Sequence, residues 1–263
     1  NEITHPVVRE ILTYLDLDRG LEIHHDGDLP ARSGIGSSSA FTVGLLHALY
    51  ALKGQMPTKS QLAKESIYIE RGRLQETVGS QDQVLAAYGG FNHIQFFENG
   101  QMDVRPITLD RERVEELDSH LMLFYTGMQR TASDIAGSYV KDLKSKEKQL
   151  HRIGEMVEEG LSILNSGEDI ARFGSLMHEA WTLKRSLGKK VSNPQIEEMY
   201  EQAMDAGALG GKVTGAGGGG FLLLFVHPSN QEKVREQLGK LTYVPFNFDY
   251  SGSQIVYYDP RQR

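Results

Sequence analysis

Pro30-Ala31-Arg32-Ser33-Gly34-Ile35-Gly36-Ser37-Ser38-Ser39-Ala40 decides how this chain is read. It is a short loop of glycine and serine that runs straight into an apolar helix. Phe41, Leu45, Leu49 and Leu52 follow at helical spacing and anchor that helix on a core. A helix that starts in such a loop presents unpaired N–H groups at its positive end, where an anion is stabilised. Glycine lets backbone approach a phosphate closely. Serine hydroxyls can reach phosphate oxygens or a hard cation such as Mg²⁺. A plain N-cap serine run after a turn fits the same letters, so the loop needs support from elsewhere.

Support comes from Lys212-Val213-Thr214-Gly215-Ala216-Gly217-Gly218-Gly219-Gly220, with five glycines in its last six positions. Flexible linkers share that composition. A linker does not run directly into Phe221-Leu222-Leu223-Leu224-Phe225, which must be buried. The glycines therefore read as a place where backbone packs against the first loop or a phosphate. Two carboxylates stand between the loops. Ser80 and Gln83 have capping-box spacing, which puts Asp82 in the first turn of a helix. A carboxylate there stays ionised and can accept or orient a hydroxyl proton. First-turn acids also serve simply to stabilise helices. Glu70 falls near the end of a helix, where negative charge is unfavourable, and this hints at a nearby cation. A solvated surface glutamate is its alternative.

The 263 residues are 24% charged and 39% hydrophobic, a composition that suits one large or two ordinary globular domains. A net charge of -7 argues against a nucleic-acid binder. With no cysteine there is no disulfide, thiol nucleophile or Cys-based metal site. No apolar run reaches a membrane span and no signal peptide is read, so the expected compartment is the cytoplasm. The chain opens at Asn1 in mid-pattern, and N-terminal residues are expected to precede it. His24, His25, His47, His93, His151 and His178 show no metal-ligand spacing. Lys144, Lys146 and Lys148 with Glu147 read as a solvated helix face.

Periodicity predicts helices over residues 5–15, 37–53, 58–73, 80–87, 132–165, 168–187, 193–206 and 229–238. Strands are predicted at 21–25, 120–125, 221–226, 242–248 and 254–258. A hairpin over 91–97 and 102–107 is joined by Asn99-Gly100. The acidic-basic stretch 110–118 reads as a domain boundary. The fold class is α+β in two parts, residues 1–115 and 116–263.

Taken together, these stretches closely resemble the GHMP small-molecule kinases. The family pattern Pro-x-x-x-Gly-Leu-Gly-Ser-Ser is present from Pro30 to Ser38, with Ile35 for Leu. The pattern Lys-x-Thr-Gly-Ala-Gly-Gly-Gly-Gly is present from Lys212 to Gly220. Glu70-Arg71 and Asp82 keep the family's order of magnesium-binding glutamate and active-site aspartate. The resemblance implies an N-terminal α+β domain, here without its first strands and first motif, and a ferredoxin-like C-terminal domain. It also implies ATP and Mg²⁺. Gly34, Ile35, Gly36, Ser37, Ser38 and Ser39 would cradle the ATP phosphates, supported by Gly215, Ala216, Gly217 and Gly218. Ser38 and Glu70 would hold the metal, and Asp82 would deprotonate or orient the acceptor hydroxyl. Gly79-Ser80-Gln81-Asp82-Gln83 and Gly89-Gly90-Phe91-Asn92 look most like kinases of D-glycero-D-manno-heptose 7-phosphate, which act on its anomeric hydroxyl and feed activated-heptose synthesis. Gln81 and Arg130 are then substrate candidates, with Lys184, Arg185, Lys189 and Lys190 as further cations for the sugar phosphate. The implied partner is a small sugar phosphate, not nucleic acid or membrane, and a homodimer stays open. Other GHMP kinases (galactose, fucose or mevalonate type), a same-fold decarboxylase and a non-catalytic GHMP-fold sensor remain as alternatives.

Overall fold

A computed structural model of the chain describes residues 3–29, 33–129, 132–138 and 140–261. The chain divides into two compact units. The first takes Asn1–Ala31, Gly36–Ile107 and Phe248–Arg263, and the second Arg32–Ile35 and Thr108–Asn247.

In the first unit, α1 (Pro6–Tyr14) starts where the His5 ring accepts the Val8 N–H. Helix α2 (Ser37–Leu52) follows Gly36 and buries Val43, Leu45, Leu46 and Leu49. Helix α3 (Lys59–Ile67) is capped by the Thr58 hydroxyl, which accepts the Gln61 N–H at 3.1 Å. It runs on as a π-helical turn, Tyr68–Arg73, whose wider winding turns Ile69 and Glu70 inward together. Helix α4 (Gln81–Tyr88) ends at Gly89, and β1 (Asn92–Phe96) pairs with β2 (Met102–Pro106) as the expected antiparallel hairpin. One core joins these elements through Ile11, Leu46, Leu62, Ile69, Val84 and Ala87. The C-terminal segment is stitched onto the end of α4: Asp249 O accepts the Gly90 N–H at 2.5 Å, and Lys59 donates to both Tyr88 O and Ser251 O.

Two predicted strands are absent here. Residues 21–25 and 254–258 carry no strand pairing, and Val256 is 93% exposed. Alternation of apolar and polar residues makes a strand only where a neighbour completes the ladder. Among the described residues of this unit, β1 and β2 form the one sheet.

The second unit opens with α5 (Arg111–Ser119), where the sequence suggested a boundary. Asp110 caps it, accepting the Arg113 N–H at 2.7 Å. The buried Arg113 guanidinium then donates to Ile163 O, Leu164 O and Glu168 O. The stretch read as a boundary is thus a helix that opens the second unit and is anchored in it by a buried cation. The remaining elements are β3 (Leu121–Tyr125), α6 (Ala132–Ala136), a 3-10 stretch (Val140–Lys146), α7 (Glu147–Asn165), α8 (Ala171–Leu187), α9 (Pro194–Asp205), β4 (Ala208–Val213), β5 (Phe221–Val226), α10 (Gln231–Gln237) and β6 (Thr242–Tyr243). The antiparallel order β4-β5-β3-β6 with helical crossovers is the ferredoxin-like arrangement. Strand β6 keeps two of the seven residues predicted at 242–248.

Strand β4 was not predicted, because Gly210 and Gly211 break its pattern. The structure gives the reason for glycine. A Cβ on Gly210 would collide with Gly174 O of α8 and come within 2.8 Å of the His178 nitrogen. A Cβ on Gly174 would come within 2.7 Å of Leu209 and Phe225. Helix and sheet thus meet backbone to backbone. Gly210→Ala is expected to destabilise the protein by about 2–3 kcal/mol in urea denaturation. Gly154→Ala in exposed α7, with nothing within 4 Å of the added carbon, should be neutral or stabilising.

Candidate active site

The first unit brings Gly36, Ser39, Glu70, Asp82 and Gln83 together. Gly36 is the N-cap of α2 in the left-handed region, φ 75°, and offers no capping side chain to the Ser37, Ser38 and Ser39 amides. Asp82 lies in the first turn of α4. A Cβ on Gly36 would sit 3.1 Å from the Asp82 Cβ and 3.2 Å from its carboxyl carbon. The carboxylate is therefore packed on the bare backbone at the mouth of α2. Two helix N-termini face the same region, and both favour negative charge.

Glu70 is not a surface residue. It is 2% exposed, and its Oε2 accepts from the Ser39 hydroxyl at 3.0 Å and from the Gln83 amide. Its Oε1 is buried without a hydrogen-bond partner among the described residues. Burial pushes the carboxyl above its ordinary range, and the neighbouring Thr42, Gln83 and Ser39 donors offset this only in part. Ser38 is exposed on the same helical turn. The expected capping box does not form. The Ser80 hydroxyl accepts from Arg71 at 3.1 Å, and Gln83 turns inward to Glu70. That spacing hid the role of Gln83, and nothing in the letters distinguished Ser39 from Ser37 and Ser38. Gln81 is exposed as the first residue of α4.

The second unit contains the other end of the first loop. Gly34, φ 79°, lies against Thr214: an added Cβ would be 3.3 Å from Thr214 O. One on Gly215 would be 2.7 Å from Gly34 O, and one on Gly220 would overlap Ser33 O. Gly218 donates to Val191 O at 2.8 Å, and Gly220 donates to Met128 O at 2.7 Å. Gly217 and Gly218 are buried, Ala216 is half-buried, and Gly215 is exposed. The glycine run is thus a seat for the first loop, bonded at fixed points, and not a linker. The Lys184 ammonium donates to Gly215 O at 2.5 Å. Arg185 is committed elsewhere, paired with Glu197 and stacked near Trp181 and Tyr200. Lys189, Lys190 and Ile35 are exposed. Arg130 lies outside the described residues.

Comparison with known proteins matches residues 2–90 to the GHMP kinases N terminal domain and residues 149–244 to the GHMP kinases C terminal domain. D-glycero-alpha-D-manno-heptose 7-phosphate kinase from Campylobacter jejuni is 30% identical over 220 residues, 83% of this chain and 65% of that protein. Mevalonate kinase from Thermococcus gammatolerans is 29% identical over 224 residues, 82% of this chain and 62% of that protein. The chain thus spans under two thirds of the length of these relatives. The crystal structure of a D-glycero-D-manno-heptose 1-phosphate kinase from B. thetaiotaomicron superposes with a TM-score of 0.74 at 26% identity, covering 98% of this chain and 77% of that one.

The raised Glu70 carboxyl has a measurable consequence. The folded state holds this proton more tightly than the unfolded state, so its contribution to stability falls as pH rises through the raised value. Glu70→Gln removes the buried charge at little cost in shape. Its melting temperature should exceed that of the parent at pH 8, and the two should converge toward pH 4 in a calorimetric pH series.

Proposed function

The chain belongs to the GHMP kinase family, and on that premise we propose that it transfers the γ-phosphoryl group of ATP to the anomeric hydroxyl of D-glycero-D-manno-heptose 7-phosphate, toward an activated GDP- or ADP-heptose. The observation that carries this reading is the Asp82 carboxylate packed on Gly36 at the N-terminus of α2. It sets a proton acceptor beside a cluster of backbone donors suited to phosphate. The Campylobacter jejuni relative supports the choice of acceptor.

In this reading the amides of Ser37, Ser38 and Ser39, with Gly34, Ile35 and Gly36, take the triphosphate. Gly215, Ala216, Gly217 and Gly218 support the Gly34 end of the loop within the second unit. The bare Cα of Gly36 leaves room that any side chain would fill. The residues also fit Mg²⁺, which takes one or two carboxylates along with substrate phosphates. Glu70 offers an oxygen without a partner, and Ser38 an exposed hydroxyl. A bound magnesium ion supplies charge neutralisation for the phosphates. Asp82 orients the acceptor hydroxyl and accepts its proton as that oxygen bonds to the γ-phosphorus. The bond to the β–γ bridging oxygen breaks, and ADP leaves. Positioning and charge do most of the work, because the transfer needs no covalent intermediate. Within the second unit, Lys184, which donates to Gly215 O, and Arg130 are the cations proposed for a sugar phosphate.

The test is ADP release with Mg²⁺ and ATP, comparing heptose 7-phosphate with galactose, fucose and mevalonate. Turnover should favour the heptose phosphate, and Asp82→Asn should lower kcat by about 10²–10⁴ with little change in KM for ATP. Faster turnover on another acceptor would replace the acceptor and keep the kinase. Full activity in Asp82→Asn would remove Asp82 from the chemistry.

A further inference from the structure

We propose that Gln83 is a positioning residue for Glu70: its buried amide holds one carboxylate oxygen so that the other is presented to the divalent cation. Gln83 is 1% exposed in the first turn of α4, directly after Asp82. Of its two polar atoms, Oε1 has no partner among the described residues and Nε2 has one. Its Nε2 donates to Glu70 Oε2. Ser39, in the first turn of α2, donates to that same oxygen at 3.0 Å. Glu70 itself stands on the π-helical turn after α3. Three elements therefore meet on one carboxylate oxygen.

The two oxygens of Glu70 are sharply unequal. Oε2 has two donors, whereas Oε1 is buried and has no partner among the described residues. The Thr42 hydroxyl lies near this carboxylate, but its hydrogen bond goes to Ser38 O at 3.1 Å and leaves Oε1 bare. A buried carboxylate oxygen left bare is costly, and a cation on that side is its natural partner. Holding Oε2 from α2 and α4 at once fixes the rotation of the carboxylate and hence where Oε1 points. Hydrogen bonds to a ligating carboxylate commonly tune metal affinity about 10- to 100-fold. Because Asp82 and Gln83 are adjacent on α4, the same bond ties the proton acceptor to the metal ligand. The inference rests on the magnesium assignment of the proposed function.

The experiment titrates ADP into the full chain by calorimetry, with and without Mg²⁺, and adds a Mn²⁺ titration followed by electron paramagnetic resonance. Gln83→Met keeps length and volume but removes the donor. It should weaken Mn²⁺ and Mg²⁺-dependent ADP binding about 10- to 100-fold, with metal-free ADP affinity near that of the parent and a melting temperature lowered by loss of a donor to the buried carboxylate. Gln83→Met placed on Glu70→Gln should cause no further loss, since the residue it positions is already gone. An unchanged metal dependence in Gln83→Met, or a loss that adds in full to that of Glu70→Gln, overturns the proposal. Should Gln83→Met fold poorly, Ser39→Ala removes the other donor on Oε2 and must shift metal affinity in the same direction, or the proposal fails. A parent chain whose ADP binding ignores metal altogether would instead overturn the magnesium assignment beneath it.

Discussion

A backbone at φ 75° and a carboxylate within van der Waals reach of it meet at Gly36. The left-handed conformation ends the incoming loop and allows α2 to begin at Ser37. The missing side chain lets Asp82 lie against the helix mouth. Any other residue there is strained and also pushes the carboxylate away. Both consequences fall on the same few atoms. The start of α2, the free face of its first amides and the placement of Asp82 therefore stand or fall together. The N-termini of α2 and α4 both favour negative charge in that place.

The second unit uses glycine for the same physical reason at larger scale. Gly215, Gly217, Gly218 and Gly220 all have positive φ, and each lies against a different piece of backbone or side chain. Such a run pays the full entropy cost of ordering glycine, and the Val191, Met128 and Thr126 hydrogen bonds help to offset it. What results is a stiff seat under Ser33 and Gly34. A stiff seat suits a reaction in which positioning supplies most of the acceleration, because little has to reorganise when charge moves.

Much of this was legible in the letters. The two glycine loops, Asp82 in the first turn of its helix and the Asn99-Gly100 hairpin all depend on local chemistry, and local chemistry is what a sequence displays. The failures share another cause. Residues 21–25 and 254–258 alternate like strands but have no strand beside them, and pairing is not a local property. Strand β4 was hidden because Gly210 serves a helix packed on it from far along the chain. The stretch 110–118 does open the second unit, but its letters do not show that Arg113 is buried to serve the carbonyls that end α7. In the candidate site, Gln83 was assigned to a cap by its spacing, and only the packing of α4 against the π-helical turn shows that it belongs to Glu70. A single cut near residue 115 likewise could not express units in which 248–261 returns to the first.

Calorimetric titration of Mg·ATP into the parent chain and into Gly36→Ala weighs this picture with the least machinery between cause and reading. If the mouth of α2 receives the phosphates, the parent binds and Gly36→Ala, still folded by circular dichroism, loses at least about tenfold in affinity, which is about 1.4 kcal/mol. Equal affinity in the two folded proteins would contradict it, and would place the nucleotide somewhere other than the helix that Gly36 begins.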